Sequence, residues 1–199
     1  MRVITGLARG AKLETLEGME LRPTADRVKE SVFNMLQFEL EGRRVLDLFA
    51  GSGQLGIEAL SRGAALAVFV DANPEAVEVI KKNLQHTRLF EKSRVVSSDY
   101  ESYLRHAKQE FDVALIDPPY GKGLAQAAFP LAAALMSVQG VIICEVAARD
   151  PLPEPEGGFA LVRRSVYSKT AVGVYRRPLP EAPVEGEAAD PGSAGGNGE

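Results

Sequence analysis

Two short clusters of residues could carry chemistry. The first is Asp117-Pro118-Pro119-Tyr120, which closes the apolar run FDVALI. Each proline fixes its own φ, and a residue before proline is held extended, so this turn is stiff. It presents a carboxylate, a backbone carbonyl and an aromatic ring in fixed relation. Two acceptors, the Asp117 carboxylate and the Pro118 carbonyl, suit the two N–H bonds of an exocyclic amino group. Such a nitrogen is a poor nucleophile, because its lone pair is delocalised into the base. Holding both N–H bonds turns the lone pair towards an electrophilic methyl, a gain of orientation and electrostatics. Tyr120 would stack on a base extruded from its helix. Asp117, directly or through water, would receive the released proton. The alternative is a rigid turn with no chemistry.

The second cluster is Gly51-Ser52-Gly53-Gln54-Leu55-Gly56, a GxGxxG pattern directly after RRVLDLFA. Proteins that bind NAD, FAD or S-adenosylmethionine (SAM) all use such a turn. Asp47, four residues before Gly51, separates them. A carboxylate there would repel a pyrophosphate and attract the ammonium of a SAM methionyl group. It could equally be a hydrogen-bonded strand-end residue. Asp71 stands 20 residues after Gly51, where an acid takes the two ribose hydroxyls. Asp99 could accept from the adenine amino group, with Tyr100 packed on the ring, or could simply cap a helix. Phe49, in the same turn as the glycines, completes the expected cofactor-binding set. SAM is therefore the expected cofactor and S-adenosylhomocysteine its product. His86 and His106 are isolated and show no metal spacing, so no metal is expected.

These residues need a scaffold. Alternating apolar runs predict strands at RRVLDLF, LAVFVD, RVVSS, FDVALID and GVIICEV. Helices are expected between them, the one after Asn73-Pro74 with a cap and a proline at its first position. A further helix is predicted from about 124 to 136. FALVRRSVY and TAVGVYRR read as an antiparallel pair turning near Ser168-Lys169. Before the first strand, short β-like pieces with Gly6, Gly10 and Gly18 suggest an arm, and Thr24 could cap a helix running to about Leu40. Strands alternating with helices imply a parallel sheet covered on both faces. A closing antiparallel hairpin makes this the class I SAM-dependent methyltransferase (Rossmann-like) layout. It has a seven-stranded, mostly parallel sheet, an antiparallel final strand and a small N-terminal β-arm plus helix. The expected organisation is an arm and helix at 1–42 belonging to the same domain, the methyltransferase domain at 43–177, and a disordered acidic tail at 178–199.

The chain has 199 residues and a formal net charge of -4, which taken alone argues against a nucleic-acid partner. The charge is uneven, however. From Pro178 onward there are five acids and no Lys or Arg, so the rest carries 23 basic against 22 acidic residues, about +1. The tail is rich in Pro, Gly, Ala and Glu and has little to bury against its ordering entropy. The single cysteine, Cys144, lies in an apolar run and reads as a core residue. The N-terminus lacks the apolar stretch of a signal peptide. Residues 123–144 carry no charge, but Gln126, Pro130, Gln139 and Gly140 interrupt them, so a helix followed by a buried strand is expected rather than a membrane span. A cytoplasmic location follows.

DxFAGSGxLGIEAL, the later DPPY, and the opening IxGxxRGxxL…LRPTxDRVxExxFNxL together resemble the bacterial 16S rRNA (guanine-N2)-methyltransferase family of RsmD type. The resemblance covers residues 2–177. It implies SAM as methyl donor and N2 of one guanine of 16S rRNA, guanine-966, as target, in a small-subunit particle rather than bare RNA. Asp117 to Tyr120 then carry over as the catalytic motif, and Gly51, Gly53, Asp71 and Asp99 as cofactor contacts. Gln54 stands where a small residue is usual in the family, and Asp71 where Glu is common.

Candidate RNA contacts are Arg2, Arg9 and Lys12 on the arm, Arg22 and Arg27 beyond it, and the terminal hairpin with Arg163, Arg164, Lys169, Arg176 and Arg177. Glu145 lies mid-strand without an evident role. Nothing in the sequence requires a dimer, and a monomer is expected. A DNA or rRNA adenine-N6 methyltransferase, a protein-glutamine methyltransferase and a non-catalytic RNA-binding assembly factor are the competing readings. A DNA methyltransferase would lack a target-recognition domain in this length, and the protein-glutamine enzyme would prefer NPPY and a helical substrate domain. The intact DPPY and glycine turn speak against the third. Deleting residues 178–199 is expected to leave methyl transfer and melting temperature little changed; a large loss in either measurement would overturn the reading of the tail.

Overall fold

The computed structural model describes residues 1–16 and 23–178. Arg22 and nearly all of the acidic tail lie outside the described residues. Seven strands form one sheet in the order β3-β2-β1-β4-β5-β7-β6. They are β1 (Arg44–Leu48), β2 (Leu66–Asp71), β3 (Ser93–Ser97), β4 (Phe111–Ile116), β5 (Met136–Ala147), β6 (Ala160–Tyr167) and β7 (Thr170–Arg176). The first five pair in parallel, and β7 runs antiparallel to both β5 and β6. This is the class I methyltransferase sheet.

Central strands buried on both faces explain the continuous apolar runs. Val45, Val113, Leu115 and Ile143 face α1 (Pro23–Met35), α2 (Gln54–Ser61) and α3 (Pro74–His86). Leu46, Leu48, Ala114, Ile116 and Cys144 face α4 (Tyr100–His106) and α5 (Leu124–Ala133). Asn73 caps α3 as expected, its side chain accepting from the Glu75 N–H, with Pro74 at the first position. Among the described residues no helix is long and apolar enough to cross a membrane.

Two boundaries differ from the sequence reading. α1 opens at Pro23 rather than after Thr24, because a proline at the first helical position loses no hydrogen bond, and it ends at Met35 in a turn. Leu36 and Leu40 are nevertheless fully buried beyond it. β5 starts at Met136, inside the segment expected to end a helix. Its register against β4 jumps from Phe111↔Met136 to Val113↔Val141, so the extra residues bulge out. Ser137 Oγ donates to Asp112 at 2.9 Å and fixes that bulge.

The arm is bonded to α2. The fully buried Glu58 accepts from the Ile4 and Thr5 N–H groups at 2.7 and 3.0 Å and from Arg62 Nε at 2.9 Å. Asn83 on α3 holds the far end, accepting from the Glu14 N–H at 2.8 Å and donating to the carbonyls of Glu14 and Ser52. The predicted hairpin character survives as one antiparallel bridge, Arg2↔Lys12.

α2 packs so tightly on the sheet that Gly56 has no room for a side chain. A Cβ there would come within 2.3 Å of Phe69 Cε1 and 3.0 Å of Asp47 Oδ2. Phe69 is itself fully buried and cannot yield cheaply. Gly56→Ala is therefore expected to cost about 1–3 kcal/mol, a melting temperature several degrees lower by calorimetry; an unchanged melt would contradict this packing.

Candidate active site

The turn after β1 is built on positive φ angles. Phe49, Gly51 and Gly53 have φ of 64°, 56° and 76°. Glycine adopts these freely, whereas Phe49 is strained by them. Its ring packs against Tyr100, with centroids 5.2 Å apart. Asp71 orders the turn from the neighbouring strand: Oδ2 accepts from the Gly51 N–H and Oδ1 from the Asn73 N–H, each at 2.8 Å. Each carboxylate oxygen keeps a second lone pair for a hydroxyl. Asp99 caps α4, accepting from the Ser102 N–H at 2.8 Å, and also faces the adjoining cavity.

That cavity has a volume of about 790 Å³ and opens at the carboxyl ends of the strands. Phe49, Gly51, Asp71, Asp99 and Tyr100 line the part next to β1, β2 and β3, and Asp117, Pro118, Pro119 and Tyr120 the part next to β4. Met1 and Leu16 of the arm complete the wall, so the arm reaches across the sheet edge. Asp47 and Gly53 are buried and form no part of this wall. Among the described residues, four acids line the cavity (Asp71, Asp99, Asp117 and Glu145) and no Lys or Arg does. Such a wall repels a pyrophosphate and favours a cation.

Three carboxylates share one face of the sheet. Ile116 is in register with Cys144, so Asp117 and Glu145 follow side by side on strands about 4.8 Å apart. Asp47 lies on the same face of β1, level with Leu115. Burial pushes Asp47 up to about 7, against the hydrogen bond from the Gly56 N–H at 2.8 Å, with the Asp71 charge adding to the rise. Asp117 is held well above the usual carboxylate range, first by burial and then by the charges of Glu145 and Asp47. Burial also raises Glu145, opposed by its bond from Tyr120. A small second cavity of about 40 Å³ lies between Asp117, Glu145, Gln54 and Lys29. Lys29 is 1% exposed and donates from Nζ to the Arg2 carbonyl at 2.6 Å, tying α1 to the arm.

Tyr120 is clamped at its hydroxyl. It donates to Glu145 Oε1 at 2.5 Å and lies 3.1 Å from Thr170 Oγ1. Burial, then the Glu145 charge, raises its pKa, so it stays a neutral phenol that can donate. The sequence reading gave Glu145 no role and missed Thr170 and Lys29. A signal existed for two of them. Glu145 is an acid inside the apolar strand VIICEVA, and Lys29 falls on the apolar face of its helix, three residues before Val32.

Of the proposed RNA contacts, Arg2, Arg9, Lys12 and Arg27 are candidates on the arm and α1, and Arg22 lies outside the described residues. The basic hairpin divides. Arg163 and Arg164 are exposed on β6. Arg176 forms a two-pronged pair with Glu39, both bonds 2.7 Å, and Arg177 donates to the carbonyls of Ser137 and Ala133 at 2.7 and 3.1 Å. Those two arginines hold the hairpin to the body.

The family described as conserved hypothetical protein 95 matches residues 1–176. The chain belongs to this family. Ribosomal RNA small subunit methyltransferase D of Haemophilus influenzae is 38% identical over 181 residues, 88% of this chain and 92% of its own. The protein of the same name from Escherichia coli K12 is 34% identical over 179 residues, 89% of this chain and 90% of its own. The solved structure of Escherichia coli yhhF aligns with a TM-score of 0.81 at 34% identity, over 89% of this chain and 97% of that one. The Thermus thermophilus protein TTHA0928 gives a TM-score of 0.74 at 34% identity, over 87% and 98% of the two chains. The RsmD-type resemblance drawn from the sequence motifs thus extends through the conserved hypothetical protein 95 family and its fold.

The elevated Asp47 has a consequence for stability. A carboxyl favoured in its protonated form by folding contributes fully below its unfolded pKa of about 3.9, and that contribution is lost as pH rises through about 7. Asp47→Asn keeps an oxygen for the Gly56 N–H and removes the titration. In urea denaturation the variant is expected to exceed the parent by about 1–3 kcal/mol at pH 8 and by clearly less at pH 5. A variant weaker than the parent at pH 8 would overturn this.

Proposed function

We propose that this chain is a SAM-dependent methyltransferase that modifies N2 of one guanine of 16S rRNA, guanine-966 by family resemblance, in a small ribosomal subunit particle. The observation that carries this reading is the cavity whose described lining holds four acids, joined to the rigid Asp117–Tyr120 turn. The names of the Haemophilus influenzae and Escherichia coli relatives support rRNA as the substrate class. SAM brings two positive centres, a sulfonium and an ammonium, which suits a wall with four carboxylates and, among the described residues, no basic side chain. When bound, it supplies an electrophilic methyl group.

The chain's own residues would do the rest. Asp71, already anchored to the glycine turn, has lone pairs left for the ribose hydroxyls, and Asp99 has the same capacity for the adenine amino group. Phe49 and Tyr100 supply the aromatic surface beside it. Asp117 and the Pro118 carbonyl would hold the N2 amino group, and Asp117 would take its proton. An aspartate whose pKa is held high by burial accepts a proton more readily than a solvated one. Tyr120, fixed at its hydroxyl, would serve as a rigid platform for the extruded base. Arg2, Arg9, Lys12 and Arg27 would track phosphates. In this reading residues 43–177 form the catalytic domain, residues 1–42 belong to it, and the protein acts as a monomer in the cytoplasm.

Tritiated SAM, small-subunit particles from a strain lacking the gene, and nucleoside analysis test the assignment. Label is expected as N2-methylguanosine. Label as N6-methyladenosine, or only in DNA or protein, would sink it. Asp117→Ala should lower turnover by about 100-fold or more with SAM affinity nearly intact, measured by calorimetry; near-normal turnover would overturn the role of Asp117.

A further inference from the structure

We propose that Glu145 reads the imino edge of the target base: its Oε2 accepts the guanine N1–H while Asp117 and the Pro118 carbonyl hold the N2 amino group. The inference rests on the guanine-N2 reading above and adds to it the residue that selects the base.

Three observations converge on Glu145. First, it lines the cavity together with Asp117 and Tyr120. The β4–β5 register sets the two acids side by side on adjacent strands about 4.8 Å apart. Guanine presents two neighbouring donors, N1–H and N2–H, on bonds to a common carbon, and two neighbouring acceptors match them. Second, among the described residues a donor stands at just one oxygen of Glu145. Oε1 receives the Tyr120 hydroxyl at 2.5 Å, and no described residue donates to Oε2. Third, a carboxylate is more than the clamp on Tyr120 requires, because Thr170 Oγ1 already stands 3.1 Å from the same hydroxyl. A second oxygen inside an apolar strand is costly unless something donates to it.

The chemistry separates the bases. An ionised carboxylate only accepts. Guanine N1 carries a hydrogen and satisfies it. Adenine N1 and 2-aminopurine N1 carry a lone pair and would face it unpaired, and sites built to pair with a particular hydrogen reject analogues that lack it.

Glu145→Gln tests this with a directional outcome. The Tyr120 hydroxyl keeps Oε1 as its acceptor, so the amide NH₂ takes the place of Oε2 and presents a donor to N1. Subunit particles would be reconstituted with semisynthetic 16S rRNA carrying guanine or 2-aminopurine at the target position. Both bases hold a 2-amino group. The parent enzyme is expected to prefer guanine, and Glu145→Gln to lower the guanine to 2-aminopurine ratio of kcat/KM by about tenfold or more. Equal losses on the two substrates would overturn the proposal and leave Glu145 as a support for Tyr120. Thr170→Val, which loosens Tyr120 without touching Glu145, is expected to slow both substrates and keep the ratio; a matching shift of the ratio would overturn the proposal too. Absence of product from the parent enzyme on the guanine particle would instead overturn the guanine-N2 reading itself.

Discussion

Negative charge crowded at the carboxyl edge of the sheet is the constraint around which this molecule is arranged. Asp47, Asp117 and Glu145 share one face of β1, β4 and β5, with Asp71 at the end of β2. Burial and mutual repulsion raise the pKa of Asp47 and Asp117. The surrounding structure is spent on making this tolerable. Backbone N–H groups of Gly51, Asn73 and Gly56 point at Asp71 and Asp47, and the Tyr120 hydroxyl at Glu145. A cationic ligand would relieve what remains.

The two pieces outside the βα core complete the cavity from opposite sides. The arm, locked by Glu58, Ser61 and Asn83, carries Met1 and Leu16 to the cavity wall and receives Lys29 at the Arg2 carbonyl. The hairpin returns antiparallel, so the start of β7 lies beside the end of β5, and Thr170 pairs with Ala147. That reversal brings Thr170 to the Tyr120 hydroxyl. A parallel final strand would place its first residue at the opposite edge of the sheet. The topology of the last strand thus shapes the candidate site.

Local signals were the most legible. Asn73-Pro74 and Asp99 mark helix starts by chemistry that acts within a few residues, and both act as caps. Apolar runs bounded by turn residues marked the places of all seven strands along the chain. Tertiary pairing outweighs local pattern at one place: MSVQG looks like the tail of a helix, but a bulged register against β4 and the Ser137–Asp112 bond draw it into β5. Arg176 and Arg177 show the same limit. As sequence they belong to a basic patch, whereas in the fold they are committed to Glu39 and to backbone carbonyls.

By itself, the sequence determined the sheet architecture, the glycine turn, the acidic positions on β1 and at the end of β2 and the stiff Asp-Pro-Pro-Tyr turn. These depend on periodicity and on backbone restrictions that each residue carries with it. Only the tertiary structure decided which acids meet. Asp47 went behind the glycine turn to the Gly56 N–H, although its spacing alone allowed a place on the cavity wall. Glu145, 28 residues after Asp117, came beside it through strand register. Thr170, 50 residues after Tyr120, came to its hydroxyl through a reversed strand. Contacts between distant segments depend on how strands pair, and strand pairing is settled by the packing of the whole sheet.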